Sequence, residues 1–280
     1  MQLKLGFSPC PNDTFIFNAI VNGLISDPDL SFQVDLADVE ALNQSALRKE
    51  ADITKLSFGV VPEVSEHYQV LDAGAALGFG CGPLLVSRIP ITINQFLVAK
   101  IAIPGFHTTA NLLLNMAFPN FGTKQEYLFS EIEDAVLNGE VDMGLIIHEN
   151  RFTYESRGLK KVVDLGEQWE KSYNLPVPLG CIAIRRDLDE AIKRKVSNLI
   201  RKSVEMAFFE PEKTMPYVSE HAQAMDVEVM KQHIALYVNE FSVSLGEKGR
   251  NAVIEMFNIA SKSGLTKEVV QPLFIDSDLL

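Results

Sequence analysis

Along the chain, apolar residues form short runs of strand length and longer runs with helical spacing, and the two kinds take turns. LKLGF (3–7) reads as a strand, the polar SPCPNDTF (8–15) interrupts it, and FIFNAIVNGL (15–24) resumes as a helix with Gly23 at its end. KIAIPGFHTTANLLLNMAF (100–118) repeats that order of strand, polar turn and apolar helix. A second echo pairs ALRKEADITKLSF (46–58) with AVLNGEVDMGLIIHE (135–149), each a helix end, an acidic residue and a short strand finishing on polar groups. Two echoes in the same sequence order predict two α/β lobes of related topology with mostly parallel strands.

A third pair bears on how the lobes connect. GCGPLLVSR (80–88) and LGCIAIRRD (179–187) are both Gly-Cys strands ending in arginine. Read as two strands crossing between lobes, they predict a larger discontinuous lobe, 1–88 plus 186–280, and a smaller lobe, 89–185, with a hinged cleft between them. The C-terminal part reads as helical. Asp187 with Glu190 has capping-box spacing ahead of Leu188, Ile192, Val196, Leu199 and Phe208. HIALYVNEF and GRNAVIEMFNIASKSG follow as amphipathic helices, the second stopped by Gly264. Tyr237, Asn239 and Trp169 are assigned to packing, with Trp169 in a loop (DLGEQWEKSYNLPVP) whose 169–178 stretch is a candidate lid.

Composition narrows the function classes. With 280 residues, 47% of them hydrophobic, the chain can bury one large core or two modest ones. A net charge of −12 argues against binding nucleic acid or an anionic membrane surface, both of which need a basic face, but leaves room for a small anionic substrate held by a few local donors. MQLKLGFSPC lacks the basic and apolar regions of a signal peptide, so a cytoplasmic protein is expected. Cys10, Cys81 and Cys181 are widely spaced and odd in number, which argues against a disulfide framework or a zinc site. No P-loop, dinucleotide fingerprint, G-x-S-x-G or H-E-x-x-H is present, and a site without metal or organic cofactor is expected.

Four predicted strand ends carry unusual polar residues: Ser8 to Asp13, Lys55 with Ser57, His107 to Thr109, and His148 with Glu149. Ligands of open α/β sheets bind beyond such carboxyl ends. Each residue also has a plainer reading. Asn12 or Asp13 serves as a helix N-cap, Cys10 as a packed thiol, and one of Thr108 and Thr109 as a cap. Two hydroxyls beside the free N–H groups of Thr109 and Ala110 equally suit a carboxylate or phosphate. Lys55 at the end of a short strand would bring its ammonium into the cleft and there meet a substrate carboxylate. His148 follows the apolar VDMGLII and can exchange protons near neutral pH. Glu149, as its neighbour on an extended chain, should point the other way, so no dyad is built on the pair.

The segments SPCPNDTF, TKLSFG, GFGCGPLLVSR, PGFHTTANLLL, GLIIHENRFTY and PLGCIAIRRDL together resemble the 1,4-dihydroxy-6-naphthoate synthases of the futalosine route to menaquinone, over about residues 1–190. The resemblance implies a type II periplasmic-binding-protein-like fold used as an enzyme. The implied reaction is carbon–carbon cleavage of cyclic dehypoxanthinyl futalosine to 1,4-dihydroxy-6-naphthoate, by a cofactor-independent lyase. It further implies His148 as general base, with Lys55, Leu56 and Ser57, and Thr109 with Ala110, as substrate-binding elements. Asn12, from its place in the opening loop, is added as a further substrate contact. The rivals are chorismate dehydratase, a sister activity on the same scaffold, and a solute-binding protein that closes on an anion without chemistry.

Overall fold

The structure is a computed structural model that describes residues 1–119, 121–222 and 226–275. The strands are β1 (Gln2–Phe7), β2 (Ser31–Leu36), β3 (Ile53–Ser57), β4 (Tyr68–Val70), β5 (Ala76–Gly78), β6 (Leu84–Ser87), β7 (Lys100–Ile103), β8 (Thr123–Glu126), β9 (Met143–Ile146), β10 (Lys160–Asp164) and β11 (Val177–Arg185). They form two sheets. The first runs β2-β1-β3-β11-β4, with β5 also on β11; the second, read from its far edge, runs β8-β7-β9-β6-β10.

Laid side by side, the two orders are the same plan. In the first sheet β1 is parallel to β2 and β3, while β11 is antiparallel to β3 and β4. In the second, β7 is parallel to β8 and β9, while β6 is antiparallel to β9 and β10. The echoes in the sequence therefore mark equivalent strands: β1 with β7, and β3 with β9. The third pair, β6 and β11, occupies the antiparallel position in each sheet, and each is the first strand the chain forms after crossing.

The crossings lie earlier than the sequence suggested. β6 pairs in the second sheet and β11 in the first, so the chain changes sheet within residues 79–83 and 165–176, ahead of the expected boundaries at 88/89 and 185/186. A short apolar strand carries no mark of which sheet it joins; its pairing partners decide.

Helices cover the faces: α1 (Pro11–Val21), α2 (Val39–Leu47), α3 (Val61–Val64), α4 (Thr109–Ala117), α5 (Ile132–Leu137), α6 (Asn150–Thr153), α7 (Leu165–Tyr173), α8 (Glu190–Phe209), α9 (Pro211–His221), α10 (Val227–Tyr237), α11 (Glu240–Val243) and α12 (Gly246–Lys262). Among the described residues no helix is long and apolar enough to cross a membrane. One apolar cluster runs through both lobes, taking Leu56 and Ala183 from the first sheet, Ile101 and Leu145 from the second, and Trp169 and Val253 from the helices. A second cluster, with Phe7, Phe17, Ile182 and Ile200, lies under α1 and α8.

Several ends differ from expectation. α1 opens with Pro11 after Cys10, whose side chain makes no cap bond, so neither Asn12 nor Asp13 is the cap. Its far end is as expected: Gly23 at φ +67° donates to the Ile20 carbonyl while Leu24 donates to that of Ala19, closing the helix in a Schellman motif. α8 is capped by Asp189, not Asp187, which pairs with Arg185 instead. HIALYVNEF is split at Asn239, which caps α11. The candidate lid starts inside a helix: Asp164 caps α7, and Trp169 is buried, its indole donating to the Pro176 carbonyl at 3.1 Å.

The first crossing is packed against α7 with no side chain between. A Cβ on Gly82 would lie 2.2 Å from the Gly166 Cα, and one on Gly166 would lie 2.7 Å from the Gly82 Cα. Backbone has nowhere to yield at that distance. Gly82→Ala is expected to destabilise the protein by about 1–3 kcal/mol, read as a lower urea midpoint at unchanged slope.

Candidate active site

The carboxyl ends of β1, β3, β7 and β9 converge on one cavity of about 660 Å³, partly open to solvent. Its walls include Asn12 and Asp13 from α1, Lys55, Leu56 and Ser57 from β3, Thr109 and Ala110 from α4, and His148 from the turn after β9. All seven residues singled out from the sequence as catalytic or substrate-binding thus face the same space.

What each offers differs from its sequence reading. Lys55 is ion-paired within the protein. Its ammonium lies 2.6 Å from Asp13 Oδ1, both side chains almost fully buried. The same Oδ1 accepts from Asn12 Nδ2 at 2.7 Å, and Oδ2 accepts from the Ser8 hydroxyl at 2.7 Å and the Ser8 N–H at 3.3 Å. The Asp13 carboxylate is thereby fully coordinated, which is what allows a buried ion pair to persist. Asn12 is likewise committed, since its Oδ1 meets His233 Nε2 at 2.9 Å. These residues build the wall largely through bonds to one another, with spare donor hydrogens on the Lys55 ammonium and the Asn12 amide rather than open backbone groups.

The opposite wall does present such groups. Thr108 caps α4, its Oγ1 accepting from the Asn111 N–H at 3.2 Å and donating to the Gly105 carbonyl at 2.8 Å. The Thr109 hydroxyl donates to the Leu179 carbonyl of β11 at 2.6 Å and accepts the Gly59 N–H at 3.0 Å, tying the lobes together. Thr109 and Ala110 are the first two residues of α4, whose backbone N–H groups have no partner within the helix and lie in the cavity wall. Ser57 accepts from Asn43 Nδ2 at 3.2 Å, which leaves its hydroxyl proton for a ligand. Helix N–H groups and a hydroxyl together suit an anionic oxygen. His107 faces away, held 2.7 Å from Glu40 on α2 across the cleft.

His148 carries the unusual backbone. Its φ is +56°, the left-handed region, which costs a non-glycine residue free energy and often marks a functional position. The strand therefore ends at Ile146 and the chain turns, so the expectation that Glu149 points away from His148 does not hold. Donor atoms of His148, Glu149 and Cys10 lie within 4.8 Å of one another. The His148 ring is held between Phe129, edge-on at 5.0 Å, and His233, parallel within 8° at 5.9 Å.

That trio has the composition of a metal site. Burial above all pushes the Cys10 thiol well above its usual range, so without a bound metal it keeps its proton.

Two wall residues were not foreseen as part of the site. Tyr237, assigned to packing, lines the cavity, and His233 lies fully buried behind it. Both sit on α10, where their spacing is that of any amphipathic helix. Nothing in the local sequence links His233 to Asn12, 221 positions away.

Comparison with known proteins gives the relationship. Residues 3–262 match the family model described as menaquinone biosynthesis. The chain belongs to this family. Among relatives, a 1,4-dihydroxy-6-naphtoate synthase of Thermus thermophilus is 45% identical over 273 residues, covering 98% of this chain and 99% of the relative. A solved Archaeoglobus fulgidus structure superposes with a TM-score of 0.89 at 34% identity, over 94% of this chain and 98% of that one. The fold is that of periplasmic binding proteins: the alkanesulfonate-binding protein of Xanthomonas axonopodis gives a TM-score of 0.70 at 12% identity, over 98% and 96% of the chains. Within the menaquinone-biosynthesis family, then, this member is an enzyme on a binding-protein scaffold.

Burial, with the charges of His148 and Lys55, holds the His233 imidazole well below the usual histidine pKa of 6.5. The unfolded chain takes up that proton as pH falls below 6.5 while the folded chain refuses it, so stability must drop on acidification. The loss starts near pH 6.5 and grows downward. Thermal midpoints between about pH 7.5 and 5.5 should fall for the wild type and fall less for His233→Asn.

Proposed function

We propose that the protein is a 1,4-dihydroxy-6-naphthoate synthase, cleaving a carbon–carbon bond of cyclic dehypoxanthinyl futalosine with His148 as the general base. The observation that carries the reading is the pairing of unlike walls: a solvent-reachable imidazole on a left-handed turn opposite helix N–H groups able to hold an anion. The Thermus relative, almost coextensive with this chain, lends the product named in the proposal.

In this reading the substrate carboxylate or a developing oxygen anion is held by the Thr109 and Ala110 N–H groups and the Ser57 hydroxyl. Fixed dipoles of this kind stabilise charge without reorganising. His148, neutral and oriented by Phe129 and His233, removes a hydroxyl proton; the oxygen's electron pair forms a carbonyl as the carbon–carbon bond breaks, and the pair from that bond stays on the departing carbon, which takes a proton back from His148. Leu56, Ile147 and Leu179 supply apolar wall for the ring that becomes the naphthoate. Lys55 supports the site through Asp13 and makes no contact with the substrate.

Incubation of the purified protein with cyclic dehypoxanthinyl futalosine should yield 1,4-dihydroxy-6-naphthoate by mass. His148→Ala should lower kcat by about 10²–10⁴ with a far smaller change in KM. Equal loss in both would remove the base assignment. Turnover of chorismate instead would identify a dehydratase, and substrate bound but recovered unchanged would identify a binding protein.

A further inference from the structure

The polar chain behind the cavity has a direction that can be read from its fixed end. Asp13 Oδ1 already accepts from the Lys55 ammonium at 2.6 Å, so it has only acceptor capacity to offer Asn12. Asn12 must therefore turn its NH₂ to Asp13, which places its carbonyl oxygen 2.9 Å from His233 Nε2. That nitrogen must carry a hydrogen. With the ring held neutral above all by its burial, Nδ1 is then a bare acceptor.

His233 Nδ1 faces Glu149 Oε2 at 3.8 Å. Both atoms are buried and neither has a hydrogen-bond partner. His233 is fully enclosed and Glu149 is 7% exposed. Two acceptors left facing each other in such a place are costly, whereas one proton between them makes a hydrogen bond of both.

We propose that Glu149 holds that proton in the resting enzyme, as a carboxylic acid donating to His233 Nδ1, and that this bond positions His148. The path of action is geometric. Glu149 on one nitrogen and Asn12 on the other fix the His233 ring, and the fixed ring stacks in parallel on His148. The protonated acid also places no full negative charge beside His148. Glu149 and His233 are thus positioning residues. The groups facing the pair are Cys10 and His148 beside Glu149, and Tyr237, whose ring is 4.6 Å from that of His233.

The test separates this pair from the reading of His148 as base, on which only its kinetic arm rests. Nitrogen-15 NMR of histidine-labelled protein, which needs no substrate, should show His233 as the Nε2–H tautomer with Nδ1 accepting a hydrogen bond. The signal should persist in Glu149→Gln, whose amide replaces the acid as donor, and should lose its hydrogen-bonded Nδ1 in Glu149→Ala. In kinetics, Glu149→Gln should leave the acid limb of the kcat/KM profile in place, while Glu149→Ala lowers kcat by about 10-fold or more at matched fold by circular dichroism. A limb that moves about 1–3 units acidward in Glu149→Gln would show that a carboxylate had been removed, and would overturn the proposal. So would an Nδ1–H tautomer of His233 in the wild type.

Discussion

The ion pair between Lys55 and Asp13 is the fixed point of this structure. It joins the end of β3 to the first turn of α1, with both side chains almost fully buried. Leaving either charge there alone would cost about 3–5 kcal/mol, so the two segments are held together as a unit. From Asp13 the constraint passes outward. Ser8 and Asn12 complete the carboxylate, Asn12 sets the tautomer of His233, and His233 lies flat against His148. A lysine that sequence reasoning offers to a substrate is here spent on the frame that aims a histidine.

The two sheets supply the rest by repetition. Equivalent strands, β1 with β7 and β3 with β9, end on the same side, and the cleft lies where both sets of ends meet. One wall is used for structure and proton placement, the other for unpaired helix N–H groups. A reaction in this cleft, as proposed, needs a base on the facing wall, held in a position it would not adopt freely. The left-handed backbone at His148 is the local cost of that placement.

Much of this is legible in the chain because it rests on periodicity and spacing. The echoes of LKLGF in KIAI, and of ADITKLSF in VDMGLIIHE, reflect strands that are equivalent in fact, and polar residues at strand ends do gather at the cleft. Less legible are features set by partners distant in sequence. β6 and β11 look alike and give no sign of which sheet each enters. Asp13 has the residue type of a cap, and its true partners come from Ser8, Asn12 and Lys55. The rule that neighbours on a strand point apart fails at His148 because the strand has already ended. His233 is invisible as a site residue, since burial on a helix is the ordinary fate of such a position.

The account stands or falls on the cleft being a reaction site with two unlike walls. The most direct measurement is a crystal structure with 1,4-dihydroxy-6-naphthoate bound. The account predicts the carboxylate on the Thr109 and Ala110 N–H groups and the Ser57 hydroxyl, a ring hydroxyl within hydrogen-bonding reach of His148, and the Lys55–Asp13 pair undisturbed. A product carboxylate drawn to Lys55 with that pair broken, or a ring turned away from His148, would contradict it.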